Sequence, residues 1–157
     1  MKKKILFGVA MFFLLVGTGI FAQEVYYSAH LSNVGWTGYA ADGETCGTTG
    51  QARQMEAIRI RVSAPISGGI RYNVHAANIG WLGWSFNNED AGTTGQNRQL
   101  EAIRVQLTGD LAQKYDVRYR VHVADVGWTG WSMNGEDAGT TGQARRLEAM
   151  QIQLVEK

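Results

Sequence analysis

The chain has 157 residues, 45% of them hydrophobic and 18% charged, with 15 lysines and arginines against 14 acidic residues. That near-neutral balance, without a basic stripe, argues against nucleic acid as a partner, because phosphate binding needs clustered positive charge. A single cysteine, Cys46, excludes an internal disulfide framework; Ala91 and Ala138 stand at equivalent positions, so a small, semi-buried side chain is expected, with an intermolecular bridge as the alternative.

Lys2, Lys3 and Lys4 precede an apolar run from Ile5 to Phe21, and Ala22 offers a small residue before Gln23. This layout predicts a secretory signal peptide over residues 1–22. The apolar run is also about the minimum for a membrane span, so an uncleaved anchor is the alternative. Without its three leader lysines the chain carries 12 basic and 14 acidic residues, a net charge of −2. Residues 23–157 are then expected to be secreted, extracellular or held at the cell surface, with no membrane span.

One 33-residue pattern occurs three times without gaps, at His30–Val62, His75–Leu107 and His122–Leu154. Thirteen positions are identical in all copies, including the histidine, a Gly-Trp pair, the run Gly-Thr-Thr-Gly-Gln, an arginine and a Glu-Ala pair. Such a period belongs to repeat architectures.

Each repeat opens with period-two alternation. Tyr27, Ala29 and Leu31 share a phase with Tyr72, Val74, Ala76 and with Tyr119, Val121, Val123, while His30, His75 and His122 lie in the polar phase. A turn follows at Asn33, Asn78 or Asp125, residue types that cap their own backbone. The Trp36-to-Tyr39 segment predicts a second short strand, closed by Asp42-Gly43 and its equivalents Asn87-Asn88 and Asn134-Gly135. The Gly-Thr-Thr-Gly-Gln run is too rich in glycine and threonine for helix. A last strand holds Ile58, Ile60 and Val62, or Ile103, Val105 and Leu107, or Met150, Ile152 and Leu154. No segment of 23–157 sustains a helical apolar stripe.

An isolated hairpin cannot bury its own apolar face. The expected fold is therefore one all-β, threefold pseudo-symmetric domain over 23–157, with repeats at about 24–64, 70–108 and 117–157. Three evident strands per repeat favour a β-prism, with a β-trefoil as the alternative.

Trp36, Trp81 and Trp128 are expected in the core, where a large ring buries most area, with an exposed stacking platform as the alternative. Tyr39, Trp84 and Trp131 tolerate a hydroxyl and suit a partly exposed stacking position. Glu56, Glu101 and Glu148 share the phase of Ile58, Ile103 and Met150, which sends a carboxylate inward and demands a partner. Arg53, Arg98 and Arg145, three residues earlier, are the expected members of that structural network. His30, His75 and His122 on the polar face fit either a ligand or a turn carbonyl, and a threefold zinc site is disfavoured because outer residues stay far apart. Gly-Thr-Thr-Gly-Gln lacks the lysine of a phosphate loop. No cofactor is implied.

His-x-x-x-x-Gly-Trp at 30–36, 75–81 and 122–128 resembles the repeats called ChW, the clostridial hydrophobic repeats with a Gly-Trp pair. Ala-Gly-Thr-Thr-Gly-Gln at 91–96 and 138–143, and Leu-Glu-Ala at 100–102 and 147–149, carry the same resemblance. The first copy departs from it at Tyr39, Cys46 and Met55. The resemblance implies an extracellular role in adhesion to polysaccharide, cell wall or host surfaces. The expected function is a non-catalytic, lectin-like domain with up to three glycan sites. Those sites would be built from His30, Asn33 and Tyr39, from His75, Asn78 and Trp84, and from His122, Asp125 and Trp131. A protein-interaction or surface-assembly module is the competing class. With no unique acid, nucleophile or metal cluster, an enzyme is not expected.

Overall fold

Tyr27, Ala29 and Leu31 turn inward along β1 (Glu24–Leu31) and His30 turns outward, so the sequence alternation becomes a strand with one dry face. The structure is a computed structural model that describes residues 23–157. The expected signal peptide lies outside the described residues. β1 is followed by β2 (Gly35–Trp36), β3 (Ala40–Ala41), β4 (Cys46–Gly47) and the long β5 (Met55–Ser63). The second repeat has the same order: β6 (Gly69–Ala76), β7 (Gly80–Trp81), β8 (Ser85–Phe86), β9 (Ala91–Gly92) and β10 (Leu100–Thr108). The third has β11 (Tyr115–Val123), β12 (Gly127–Trp128), β13 (Ser132–Met133), β14 (Ala138–Gly139) and β15 (Leu147–Glu156).

In the first sheet β1 pairs antiparallel with β5, and β2 and β3 add to its other edge. The fifth strand comes from elsewhere: β9 of the second repeat pairs with β5. Likewise β14 pairs with β10, and β4 returns to pair with β15, closing the ring. The result is three five-stranded sheets, none closed into a barrel. Each repeat lends a strand to its neighbour, which makes the three copies one all-β unit.

The invariant glycine of each lent strand explains itself here. Gly47, Gly92 and Gly139 have φ of 100°, 113° and 112°, and a Cβ on them would meet the carbonyls of Glu148, Glu56 and Glu101 at 2.4, 2.3 and 2.3 Å. Only glycine lets the two backbones approach so closely. The amides of the following threonines, Thr48, Thr93 and Thr140, each donate to those same carbonyls at 3.0 Å. Cys46 takes the place of Ala91 and Ala138 at this seam and is buried, as a small apolar residue would be.

The core is a single cluster of inward side chains, among them Tyr27, Tyr72, Tyr119, Ile58, Ile103 and Met150. Each buried tyrosine donates its hydroxyl to a carbonyl of Glu44, Glu89 or Glu136, so the polar end is satisfied. The carboxylates of these three glutamates in turn accept from the amides of Ala41, Phe86 and Met133 at 2.9, 2.9 and 3.0 Å. That double duty in the turn accounts for a glutamate in all three copies.

One expectation requires correction. Trp36, Trp81 and Trp128 are half-buried and stand outside the core cluster. Each is the cross-strand partner of a histidine, and directly opposed residues of antiparallel strands share a face. The tryptophan therefore goes outward with the histidine, and the first-strand tyrosines fill the centre. α1 (Gly109–Lys114), a six-residue helix in the connector after β10, buries Leu111 alone and carries no apolar stripe.

Candidate functional site

The register of β1 against β5 slips between His30 and Leu31, so that His30 opposes Ala57 and Leu31 opposes Met55. Glu56 is the extra residue of a β-bulge, and the bulge re-aims its side chain. Instead of pointing inward with Ile58, the Glu56 carboxylate meets the outward His30, with Oε2 3.1 Å from Nδ1. The same bulge places Glu148 Oε2 3.1 Å from His122 Nδ1. Glu101 Oε2 lies 3.0 Å from His75 Nδ1 but out of line for a hydrogen bond. Because a carboxylate only accepts, the bonded Nδ1 atoms carry the proton.

The second carboxylate oxygen is also held. Oε1 of Glu56 accepts from the Gln54 amide at 3.1 Å, and Oε1 of Glu101 from Gln99 at 3.4 Å. In the third repeat Arg146 stands at that position, its Nε and Nη2 lying 3.1 and 2.9 Å from Glu148 Oε1. These carboxylate side chains are only 5–6% exposed. A buried charge of this kind persists only with such partners.

The arginines expected in this structural network do not bond the carboxylates directly. Arg53 and Arg98 donate to Gln51 and Gln96, and Arg98 reaches the Ala77 carbonyl at 3.5 Å. No hydrogen bond among the described residues joins Arg53, Arg98 or Arg145 to Glu56, Glu101 or Glu148. The bulge turned the carboxylate to the opposite face, where histidine waits.

Outside each histidine stands the tryptophan, edge to face at 5.5 Å between ring centroids in all three repeats. A guanidinium lies over each indole: Arg59 over Trp36 at 3.8 Å, Arg104 over Trp81 at 3.8 Å, Arg120 over Trp128 at 5.0 Å. The first two come from the last strand and the third from the first strand. The swap is reciprocal, because Ser28 opposes Arg59, Asn73 opposes Arg104, and Arg120 opposes Gln151. Across the seam Arg59 pairs with Asp90 and Arg104 with Asp137, whereas Gln151 donates to Thr45 at 2.8 Å.

Asn33, Asn78 and Asp125 occupy the turn with φ of 62°, 64° and 64°, a left-handed conformation that Asn and Asp tolerate. Among the described residues, two clefts at repeat junctions are lined by these turn residues and glutamates. One of about 400 Å³ is lined by His30, Ser32, Asn33 and Glu56 with Gly95 and Asn97 of the second repeat. The other, about 430 Å³, has Asn78, Arg98, Gln99 and Glu101 with Ala144 of the third repeat. The first cleft thus brings the histidine, the turn residue and the glutamate together and adds Gly95 of the next repeat's Gly-Thr-Thr-Gly-Gln loop, while the second joins the turn residue and the glutamate.

The second aromatics lie elsewhere on the same outer face. Tyr39 donates to Asn88 of the second repeat at 2.5 Å, and Arg61 covers its ring at 5.0 Å. Arg71 lies 4.7 Å from the Trp84 ring, and Trp131 has Arg118 and Arg120 at 4.7 and 4.8 Å. Neither Tyr39 nor Trp84 lines the two clefts. Sequence reading overlooked Gln54, Gln99 and Arg146, and also Arg59, Arg104 and Arg120. The available signal was a polar residue two places before each glutamate and an arginine at one of two cross-strand positions in every copy.

Fold and site together define a threefold all-β repeat domain with the same histidine, tryptophan and glutamate arrangement in each repeat. The family model described as "Clostridial hydrophobic W" matches residues 30–64, 75–109 and 122–156, and the chain belongs to this family, ChW. No curated protein and no solved structure matches it.

Proposed function

We propose that the chain is a secreted, non-catalytic carbohydrate-binding domain, used for adhesion at a cell surface, with up to three equivalent sites. The observation that carries this reading is a pair of clefts at successive junctions, each lined by a turn amide and a buried carboxylate, with the His30 imidazole completing the first. Fixed polar groups of this kind orient sugar hydroxyls, and Tyr39 and Trp131, 44% and 37% exposed elsewhere on the outer face, offer further rings for a sugar to lie against. His30 with Asn33, His75 with Asn78 and His122 with Asp125 are the proposed first contacts. Each site is individually weak, and three on one rigid frame raise avidity on a repeating polymer. Both oxygens of Glu56 and Glu148 are engaged, which suits positioning and not proton transfer to a substrate. Export rests on the charged and apolar leader of residues 1–22.

A second reading, a protein-interaction module, draws on Val34, Ile79 and Val126, which occupy one repeat position and are 55%, 48% and 59% exposed. A glycan array separates the two. Binding that free sugar competes away, and that falls in a His75→Ala, Asn78→Ala double variant, supports the carbohydrate reading. Silence across wall, plant and host glycans overturns it in favour of a polypeptide partner.

A further inference from the structure

The outer faces of the three sheets differ in one respect that bears on ligand charge. In the first sheet Arg59 is neutralised by Asp90 across the seam, and in the second Arg104 is neutralised by Asp137. In the third the acidic position is Thr45 and the arginine position is Gln151. Arg118 and Arg120 stand on β11 instead, and their Nε atoms donate to the neutral amides Gln153 and Gln151 at 3.0 and 2.7 Å. Trp131 lies against both guanidinium groups, at 4.7 and 4.8 Å, and is the exposed aromatic of this sheet. Asp116, on the same strand face, is engaged by Lys157 at 3.6 Å and by the Asn134 amide at 2.8 Å. Two guanidinium groups flanking one ring thus have no carboxylate partner among the described residues.

We infer that this face, Arg118, Arg120 and Trp131, is a binding site for an acidic sugar. It deepens the carbohydrate reading by assigning one sheet an oxyanion-bearing ligand. The sugar ring lies against Trp131, and its carboxylate or sulfate ester accepts from the terminal N–H groups of the arginines. Guanidinium presents paired donors in a plane, a geometry matched to an oxyanion and only loosely to a lone hydroxyl. The first two sheets, where one arginine is already paired with aspartate, take such a ligand more weakly.

Calorimetric titration with trigalacturonate tests this, and a parallel arm with galactose 6-sulfate separates carboxylate from sulfate as the anion. Binding in either arm is expected to weaken at least about tenfold in Arg118→Gln and in Trp131→Ala. It should weaken again as NaCl rises, because surface charge attraction is screened. Arg71→Gln in the second sheet should leave it unchanged. Thr45→Asp supplies the missing acid: Gln151 links Thr45 to Arg120, so the new carboxylate is expected to cut binding while both arginines remain. No binding in either arm, or binding indifferent to Arg118→Gln and Thr45→Asp with the fold intact by circular dichroism, overturns the inference. Acid binding that follows these variants while the glycan array shows no use of the clefts sustains this site and removes the cleft reading alone.

Discussion

His30 and Glu56 touch, with Nδ1 and Oε2 3.1 Å apart, although simple alternation assigns them to opposite faces of the sheet. One extra residue in the last strand of each repeat makes the contact, and with it the buried floor of each junction.

Glu56→Ala removes a buried carboxylate and leaves the His30 Nδ1–H without its acceptor, while Gln54 retains Asn97. Loss of one member of a buried pair costs about 3 kcal/mol or more. Arg98→Ala, whose contacts are Gln96 and a carbonyl, should cost less than about 1 kcal/mol. Urea denaturation of the two variants checks this, and equal losses would return the arginine to the carboxylate network.

Gly92→Ala places a methyl 2.3 Å from the Glu56 carbonyl at a φ of 113°. The seam must open, so a loss of at least about 3 kcal/mol is expected. Gly95→Ala, at a φ of 71° with open space around it, should cost only about 1 kcal/mol of backbone strain. Melting temperatures rank the pair.

Burial pushes the phenol groups of Tyr27, Tyr72 and Tyr119 up to about 12 from an ordinary 10. A pKa raised by folding gives stability that is complete below pH 10 and is lost as pH rises toward 12. The two units correspond to about 2–3 kcal/mol per tyrosine. Denaturation curves between pH 8 and 11.5 should therefore show falling stability above pH 10, with a shallower fall in Tyr72→Phe. An unchanged slope in that variant would assign the alkaline loss to other groups.

Removal of residues 115–157 takes away β15, the partner of β4, and β14, the partner of β10. Two repeats alone should show no cooperative unfolding and rapid proteolysis. A stable two-repeat fragment would mean that the ring need not close.

Period-two alternation was enough to identify the first and last strands of every repeat, because a sheet with one wet face writes its pleat into the sequence. The turn residues Asn33, Asn78 and Asp125 were equally legible, since few side chains tolerate a left-handed backbone. Trp36 was misplaced because size alone suggests burial, whereas its pairing with His30 decides its face.

The sequence by itself determined three copies, an all-β fold and the identity of the inner phases, since each follows from local patterning of polar and apolar side chains. Only the tertiary structure decided which strand completes which sheet, that Glu56 answers to His30, and that Arg120 replaces Arg59 over the tryptophan. Those relationships depend on a one-residue bulge and on strand exchange between repeats. Both join residues far apart in the chain, and neither leaves a period in the sequence.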